Sequence, residues 1–301
     1  MTGAAAPHLL YAGDALDACG RAPAHVDFDL VYLDPPYGIG RAHAGRRAKG
    51  EHRARVAKGE PAAYADVDGP DALVEMLAPR LAAIRARMSA RATLWLHLDH
   101  RAVHEAKLLC DRVFGRGAFL GEVVWVPGNG GRGARLSVTH QTLLLYARSA
   151  ADAPQTTWNG DDPILREPFA GTSQRMHFTK VDADGRRYRE RVVGGKAYRY
   201  YADVGRRLGS VWTDIPAMHA NTPLRRETTG YPTQKPERLL ERIVRATSRA
   251  GDTVADLMCG SGTTLVVAAR LGRRFVGGDA SPVALEITRA RLAAAAVSFA
   301  E

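Results

Sequence analysis

Two short stretches of this 301-residue chain carry residue types that can do chemistry. In VYLDPPYGIG, the apolar run from Phe28 to Leu33 stops on Asp34, and Pro35, Pro36 and Tyr37 follow. A carboxylate accepts hydrogen bonds, each proline fixes its own φ and restricts the residue before it, and the ring offers a flat face. In DLMCGSGTT, Asp256 to Thr264, glycines stand between a strand-like and a helix-like run. Glycines there permit a tight turn and close approach of a ligand, and the helix that follows supplies free N–H groups. Asp279 ends the next strand-like run, seventeen residues after Gly262; an acid at that place can hold two ribose hydroxyls. Leu265 stands where the dinucleotide fingerprint has its third glycine. No Gly-Lys-Ser/Thr follows, which excludes a P-loop. Each stretch alone also fits an ordinary turn after a strand.

The elements that must carry these stretches fall into three regions. Residues 1–150 alternate strand and helix patterns: FDLVYL, a helix over 71–89, ATLWLHL, a helix over 101–114, then EVVWV and TLLLYAR. Pro79 should kink the first helix or end its first segment. Apolar strands separated by helices predict a parallel sheet covered on both faces. Residues 151–225 lose helical periodicity. Asp184-Gly185 there is a hairpin turn signal, with Arg186, Arg187, Arg189, Arg191, Lys196 and Arg199 close by. Residues 226–301 return to α/β. Pro236 suits the first turn of a helix running to about Arg249. TVADL, the glycine loop, a helix stopped by Gly272, RRFVGG and a helix opened by Ser281-Pro282 complete the pattern.

Bulk composition narrows the class. Hydrophobic residues at 46 % and charged residues at 25 % are ordinary for a soluble globular protein. We expect no signal peptide and no membrane span. Cys19, Cys110 and Cys259 are odd in number and far apart, which fits neither a disulfide framework nor a zinc site and suits the cytoplasm. No cysteine follows a proline, so a Pro-Cys nucleophile for ring-carbon methylation is absent, and Cys259 reads as a small packing residue of the loop. The net charge of +10 favours a polyanionic partner. Residues 41–60 hold seven Lys/Arg against two Glu, among them Arg41, Arg46, Arg47, Lys49 and Arg53. Their composition predicts a loop that orders on DNA.

Asp34-Pro35-Pro36-Tyr37, then GYPTQKP at 230–236, then DLMCGSGTT resemble, in that order, the beta group of amino-directed DNA methyltransferases. The resemblance covers nearly the whole chain. It implies a Rossmann-like methyltransferase fold with permuted motif order: a mostly parallel sheet with helices on both faces, plus a small target-recognition region. On this reading 1–150 and 226–301 form one catalytic domain and 151–225 recognises the target.

The resemblance also implies roles. S-adenosyl-L-methionine is the cofactor, and no metal is needed. Asp34 and the Pro35 carbonyl would accept the two N–H groups of an exocyclic amine, drawing its lone pair onto nitrogen as the methyl arrives. Pro36 helps aim that carbonyl, and Tyr37 would stack on a base flipped from the duplex. Asp14 would lie near the cofactor adenine, although its place also suits a helix cap. Lys235 and Pro236 would close over the cofactor. Asp256, Cys259, Gly260, Ser261, Gly262, Thr263 and Thr264 would line its methionine end, and Asp279 its ribose. HQTLLLYAR resembles the strand near the target base, with Gln141 where the family often has Glu. Arg186, Arg187 and Arg189 join the 41–60 cations as DNA contacts. The expected activity is N6-adenine methylation of double-stranded DNA. N4-cytosine methylation and, further off, RNA methylation are the alternatives. The resemblance allows a homodimer and a restriction endonuclease partner.

Overall fold

The computed structural model describes residues 8–37, 42–44, 62–128, 136–218 and 223–301. Its backbone divides into two compact units, one of Met1–Trp158 with Ser210–Glu301 and one of Asn159–Gly209.

The first unit begins with β1 (His8–Ala12), α1 (Ala15–Arg21) and β2 (Phe28–Leu33). A small antiparallel ribbon follows, β3 (Ala42–Ala44) with β4 (Ala62–Ala65). Next come α2 (Gly69–Arg87), β5 (Met88–Leu98), α3 (Val103–Phe114), β6 (Phe119–Trp125) and β7 (Gln141–Ala147). The second unit holds β8 (Arg166–Glu167), α4 (Gly171–His177), β9 (Lys180–Val181), β10 (Arg187–Val193), β11 (Lys196–Tyr201) and β12 (Arg206–Arg207). The chain re-enters the first unit with β13 (Val211–Trp212), α5 (Glu237–Thr247), β14 (Thr253–Asp256), α6 (Thr263–Arg270), β15 (Arg274–Asp279), α7 (Pro282–Ala294) and β16 (Phe299–Ala300).

Among the described residues the main sheet runs β13-β6-β7-β5-β2-β14-β15-β1-β16. All neighbours are parallel except β7, which is antiparallel to β5 and β6. The sequence pattern implied parallel pairing here too. The observed pairing is instead antiparallel on both sides of β7, with β5 and with β6. Alternation sorts β5 onto two layers. Leu94 and Leu96 join the cluster with Leu73, Leu77 and Leu81 of α2. Trp95, on the opposite face, donates its indole N–H to Thr247 of α5 at 3.0 Å. Helices therefore cover both faces, and β2 is buried along nearly its whole length.

Helix α2 runs unbroken through Pro79, so of the two expectations there, a kink or an end, the end does not occur. Leu73, Leu77, Leu81 and Ile84 form its buried stripe, while Pro79 is exposed. The side of the helix that carries Pro79 faces water, and packing of the opposite side holds the helix together.

The four neighbouring strands β2, β14, β15 and β1 all run parallel. Each ends on, or within two residues of, an aspartate at the same edge: Asp34, Asp256, Asp279 and Asp14. The connections diverge on either side of the β2–β14 boundary, which makes this edge a topological switch point, where open α/β sheets bind ligands.

Candidate active site

The two chemical stretches meet at that edge. Asp34, Pro35, Pro36 and Tyr37 line one cavity of about 470 Å³, together with Asp256, Cys259, Gly260, Ser261, Thr263, Thr264 and Asp279. Asp14 and Lys235 line it as well, whereas Gly262 and Pro236 stand behind the wall.

Gly260 and Gly262 have φ of +52° and +71°, which side chains other than glycine rarely adopt. A Cβ on Gly262 would also meet Thr288 Oγ1 at 2.6 Å. Gly262 is the N-cap of α6 and Pro236 that of α5, so both shape the wall through the backbone. The Asp279 carboxylate accepts the Gly260 N–H and the Ser281 N–H, both at 2.8 Å, tying the glycine loop to the start of α7. Burial raises its pKa, and those two backbone donors pull it back down. Asp256 is almost fully buried, and burial lifts its pKa to about 7 against the opposing hydrogen bonds of Thr264 and the Met258 N–H. Cys259 is buried, and burial pushes its thiol pKa up; its sulfur lies 3.9 Å from Thr288 Oγ1, a packing position.

Asp34 carries a donor on each oxygen. Tyr37 O–H donates to Oδ1 at 2.7 Å, and Lys235 Nζ donates to Oδ2. Lys235 also bonds the Thr233 carbonyl at 3.3 Å and lies 5.4 Å from the centre of the Tyr37 ring. Thr233 has φ +60°, a strained value for a β-branched residue. The segment 229–235 is braced by Gln234, which accepts from Thr229 N–H at 2.9 Å and donates to the Glu227 carbonyl at 2.8 Å.

Asp14 both caps a helix and faces the cavity. Its Oδ1 accepts the Leu16 N–H at 2.8 Å in a capping box with Asp17. Its Oδ2 accepts from Arg80, whose Nε lies at 3.1 Å. Arg80 lines the cavity too.

Arg80 had no place in the sequence reading, and three further residues near the cavity had none either. Tyr32, on the wall, is 2.7 Å from His97 Nδ1, and His97 Nε2 is 2.7 Å from Gln141 Oε1. Burial, with help from the Lys235 ammonium, lowers the His97 pKa to about 3, so the ring is neutral. A neutral ring has one N–H. Gln141 Oε1 can only accept, so that proton sits on Nε2, and Tyr32 donates to Nδ1. Gln141 thereby fixes a tautomer two groups away from the cavity. The one signal in the sequence is a histidine inside the apolar run ATLWLHL, which must find partners when buried. The third of these further residues is Arg291 of α7. Its guanidinium bonds the Ser261 carbonyl at 2.9 Å and Thr263 Oγ1 at 2.8 Å, and pairs with Glu237 of α5 at 2.8 Å. It braces the glycine loop and the segment after Pro236 from behind.

The expected DNA contacts Arg41, Arg46, Arg47, Lys49 and Arg53 lie outside the described residues. Arg186, Arg187 and Arg189 are exposed in the second unit. Arg186 pairs with Asp203 at 2.9 Å and lies over Tyr201, so its charge is already engaged. Arg189 lies over Phe178 and Tyr200.

Comparison with known proteins gives the same direction. The family profile N6_N4_Mtase, described as DNA methylase, matches residues 28–290. The chain is 28 % identical to the DNA adenine methyltransferase YhdJ of Escherichia coli (strain K12), over 88 % of this chain and 76 % of that protein. It is 25 % identical to the Type II methyltransferase M.EcaI of Enterobacter cloacae, over 88 % of this chain. The matched region spans 64 % of M.EcaI and 32 % of another relative, the Type II methyltransferase M2.DpnII of Streptococcus pneumoniae. Among solved structures, the M1.HpyAVI–SAM complex superposes with a TM-score of 0.55 at 14 % identity, covering 94 % of this chain and 98 % of that one. The cytosine-N4-specific PvuII DNA methyltransferase superposes at 0.58 and 14 % identity, covering 95 % and 86 %. These two likenesses are of fold.

Proposed function

The chain belongs to the N6/N4 DNA methylase family, and from that premise we propose that it methylates the N6 amino group of adenine in double-stranded DNA, using S-adenosyl-L-methionine. One observation carries the proposal: the Asp34 carboxylate and the glycine loop around Gly260 and Ser261 line a single cavity. A methyl donor held by the loop and an amine held by the acid would share one space.

The chemistry of the wall fits that donor. Carboxylates at Asp14, Asp256 and Asp279 suit a ligand bearing an ammonium group and ribose hydroxyls, and the left-handed glycines let the backbone approach it. Asp256, Gly260, Ser261, Thr263 and Thr264 would hold the amino-acid end, Asp279 the ribose and Asp14 the adenine side, with Lys235 closing the wall. When bound, the cofactor supplies an electrophilic methyl group on a sulfonium.

The remaining work belongs to the chain. Asp34 and the Pro35 carbonyl accept the two N–H groups of the target amine. Each bond strengthens as nitrogen gains positive character, so the pair favours the transition state over the ground state. The departing N–H proton is then directed toward the Asp34 carboxylate. Tyr37 orients that carboxylate through its 2.7 Å bond and presents a ring for an extruded base. The Asp-Pro-Pro-Tyr form of the motif favours adenine over cytosine, and the second unit, with the cations of 41–60, is proposed to select the site.

The test is to incubate the purified chain with isotopically labelled S-adenosylmethionine and duplex DNA, digest to nucleosides and identify the labelled base by mass spectrometry. N6-methyladenine is the expected product. N4-methylcytosine would reassign the target, and no labelled base would remove the enzymatic reading.

A further inference from the structure

The hairpin of β10 and β11 in the second unit has two chemically different faces. Antiparallel partners share a face, and the register pairs Arg189 with Tyr200, Arg191 with Tyr198 and Val193 with Lys196. Those three rungs lie on one face. Alternate rungs, Tyr188 with Tyr201 and Glu190 with Arg199, lie on the other.

The second of these faces satisfies itself. Tyr188 is buried and its ring centre is 5.8 Å from that of Tyr201. Glu190 pairs with Lys180 at 3.1 Å and with Arg199 at 3.7 Å, and Arg199 lies over Tyr188. The first face has no acid. Glu190 is the one carboxylate between 187 and 201, and it points the other way. Tyr198 and Tyr200 are 43 % and 41 % exposed, and Arg191 is exposed as well. Lys196 Nζ lies 5.6 Å from the Tyr198 ring centre and Arg189 lies 5.5 Å from that of Tyr200. The result is a solvent-facing ladder of three cations interleaved with two tyrosines, on the part of the hairpin that is two-stranded because β9 pairs only with Arg187 and Tyr188 of β10.

We propose that this face, Arg189, Arg191, Lys196, Tyr198 and Tyr200, is the surface through which the second unit grips duplex DNA. The inference rests on the DNA-methylating reading above and goes further by naming the face and the residues. A two-stranded β-ribbon fits the major groove. Uncompensated Arg and Lys side chains displace counterions from phosphates, and exposed tyrosines add apolar contact and hydrogen bonding to sugars and bases. Arg186 is excluded from the surface, because Asp203 already holds it.

A matched pair of variants tests the face rather than the charge. Arg191→Gln and Arg199→Gln remove the same charge from opposite sides of one ribbon. Affinity for a mixed-sequence duplex is read by fluorescence anisotropy across a salt series, so no turnover is needed. Arg191→Gln is expected to lower the salt slope by about 0.9 and weaken binding, and Arg199→Gln to leave both near wild type. Tyr198→Ala is expected to weaken binding roughly tenfold with the slope unchanged, as for a non-ionic contact. Equal effects of Arg191→Gln and Arg199→Gln, or wild-type binding by Arg191→Gln and Tyr198→Ala, would overturn the proposal. So would an altered oligomeric state of the Arg191 variant with unaltered DNA affinity, which would make the face a contact between copies. Failure of the methylation reading looks different: the intact chain would bind DNA with this dependence on Arg191 yet transfer no methyl group.

Discussion

Lys235 and Asp34, 201 positions apart in the chain, form an ion pair in the cavity wall. With Tyr37 on the other oxygen, the carboxylate has a donor at both ends. An incoming amine must therefore share an oxygen with one of these donors or displace it, and the pair sets how Asp34 presents itself.

Replacing Asp34 separates reaction from cofactor binding. Asp34→Asn is expected to slow methyl transfer by about a hundred- to a thousandfold, the usual loss for one acceptor or donor aimed at a transition state. Cofactor affinity by calorimetry should change only a few-fold. Asp34→Ala should also lose stability, on the order of 2 kcal/mol, because Lys235 is only 8 % exposed and would lose its carboxylate. Near-normal turnover by either variant contradicts the role given to this residue.

Asp256 gives the protein a pH signature. Its folded pKa, raised to about 7 by burial, exceeds the ordinary 3.8. Between those values the native state keeps a proton that the unfolded chain releases, so this group lowers stability as pH rises from about 4 to 7 and changes nothing further above that. Asp256→Asn should raise the melting temperature at pH 8 and leave it nearly unchanged at pH 4. The affinity of a cationic ligand should rise with pH through 7 in the wild type and lose that dependence in the variant. Melting curves and calorimetry at several pH values check both, and a stability gain from Asp256→Asn confined to acid pH has the wrong sign.

Burial keeps His97 neutral, and Gln141 fixes which ring nitrogen carries its proton. Gln141→Glu would set a carboxylate against His97 Nε2, 2.7 Å from the present amide oxygen, and favour the charged ring. The imidazole should then titrate well above its wild-type value of about 3. Nuclear magnetic resonance of the histidine ring protons follows this directly. A ring that stays neutral down to the same pH in the variant would show that a carboxylate at position 141 does not reach His97 Nε2.

Arg291 is expected to act on cofactor binding and stability rather than on turnover. Arg291→Ala leaves the Ser261 carbonyl and Glu237 short of a donor, at a cost of about 2 kcal/mol in stability. The loosened glycine loop should raise the cofactor dissociation constant about tenfold, an effect of about 1.4 kcal/mol, with turnover at saturating cofactor little changed. Arg291→Lys should recover only part, since an ammonium cannot reproduce the planar fork that spans Ser261, Thr263 and Glu237. A loss confined to turnover would argue for a different role.

Much of the sheet was readable because its strands are buried on both faces and appear as mostly apolar runs, such as FDLVYL and TVADL. The strand-end acids Asp34 and Asp279 stood out where those runs stopped. What escaped was set by partners remote in sequence. Tyr32 and His97 are 65 residues apart, and His97 and Gln141 are 44 apart; no local pattern links them. The direction of β7 shows only in its pairing with β5 and β6, and the persistence of α2 through Pro79 depended on which side faced water. In the hairpin the arginines were visible as a group, but only the register divides Arg191 from Arg199.

Strand β14 lies between β2 and β15 in the sheet, and Asp29 at the start of β2 accepts the Thr253 N–H at 3.0 Å and the Ser89 hydroxyl at 2.8 Å. During synthesis β2 therefore emerges more than two hundred residues before the neighbour it must pair with. Until that neighbour arrives, one edge of a very apolar strand stays open to sticking, and the sheet closes late, through contacts of high sequence separation. A ribosome-bound chain stopped before Thr253 should accordingly lean on chaperones, and its cavity should remain unbuilt until the last fifty or so residues have been made.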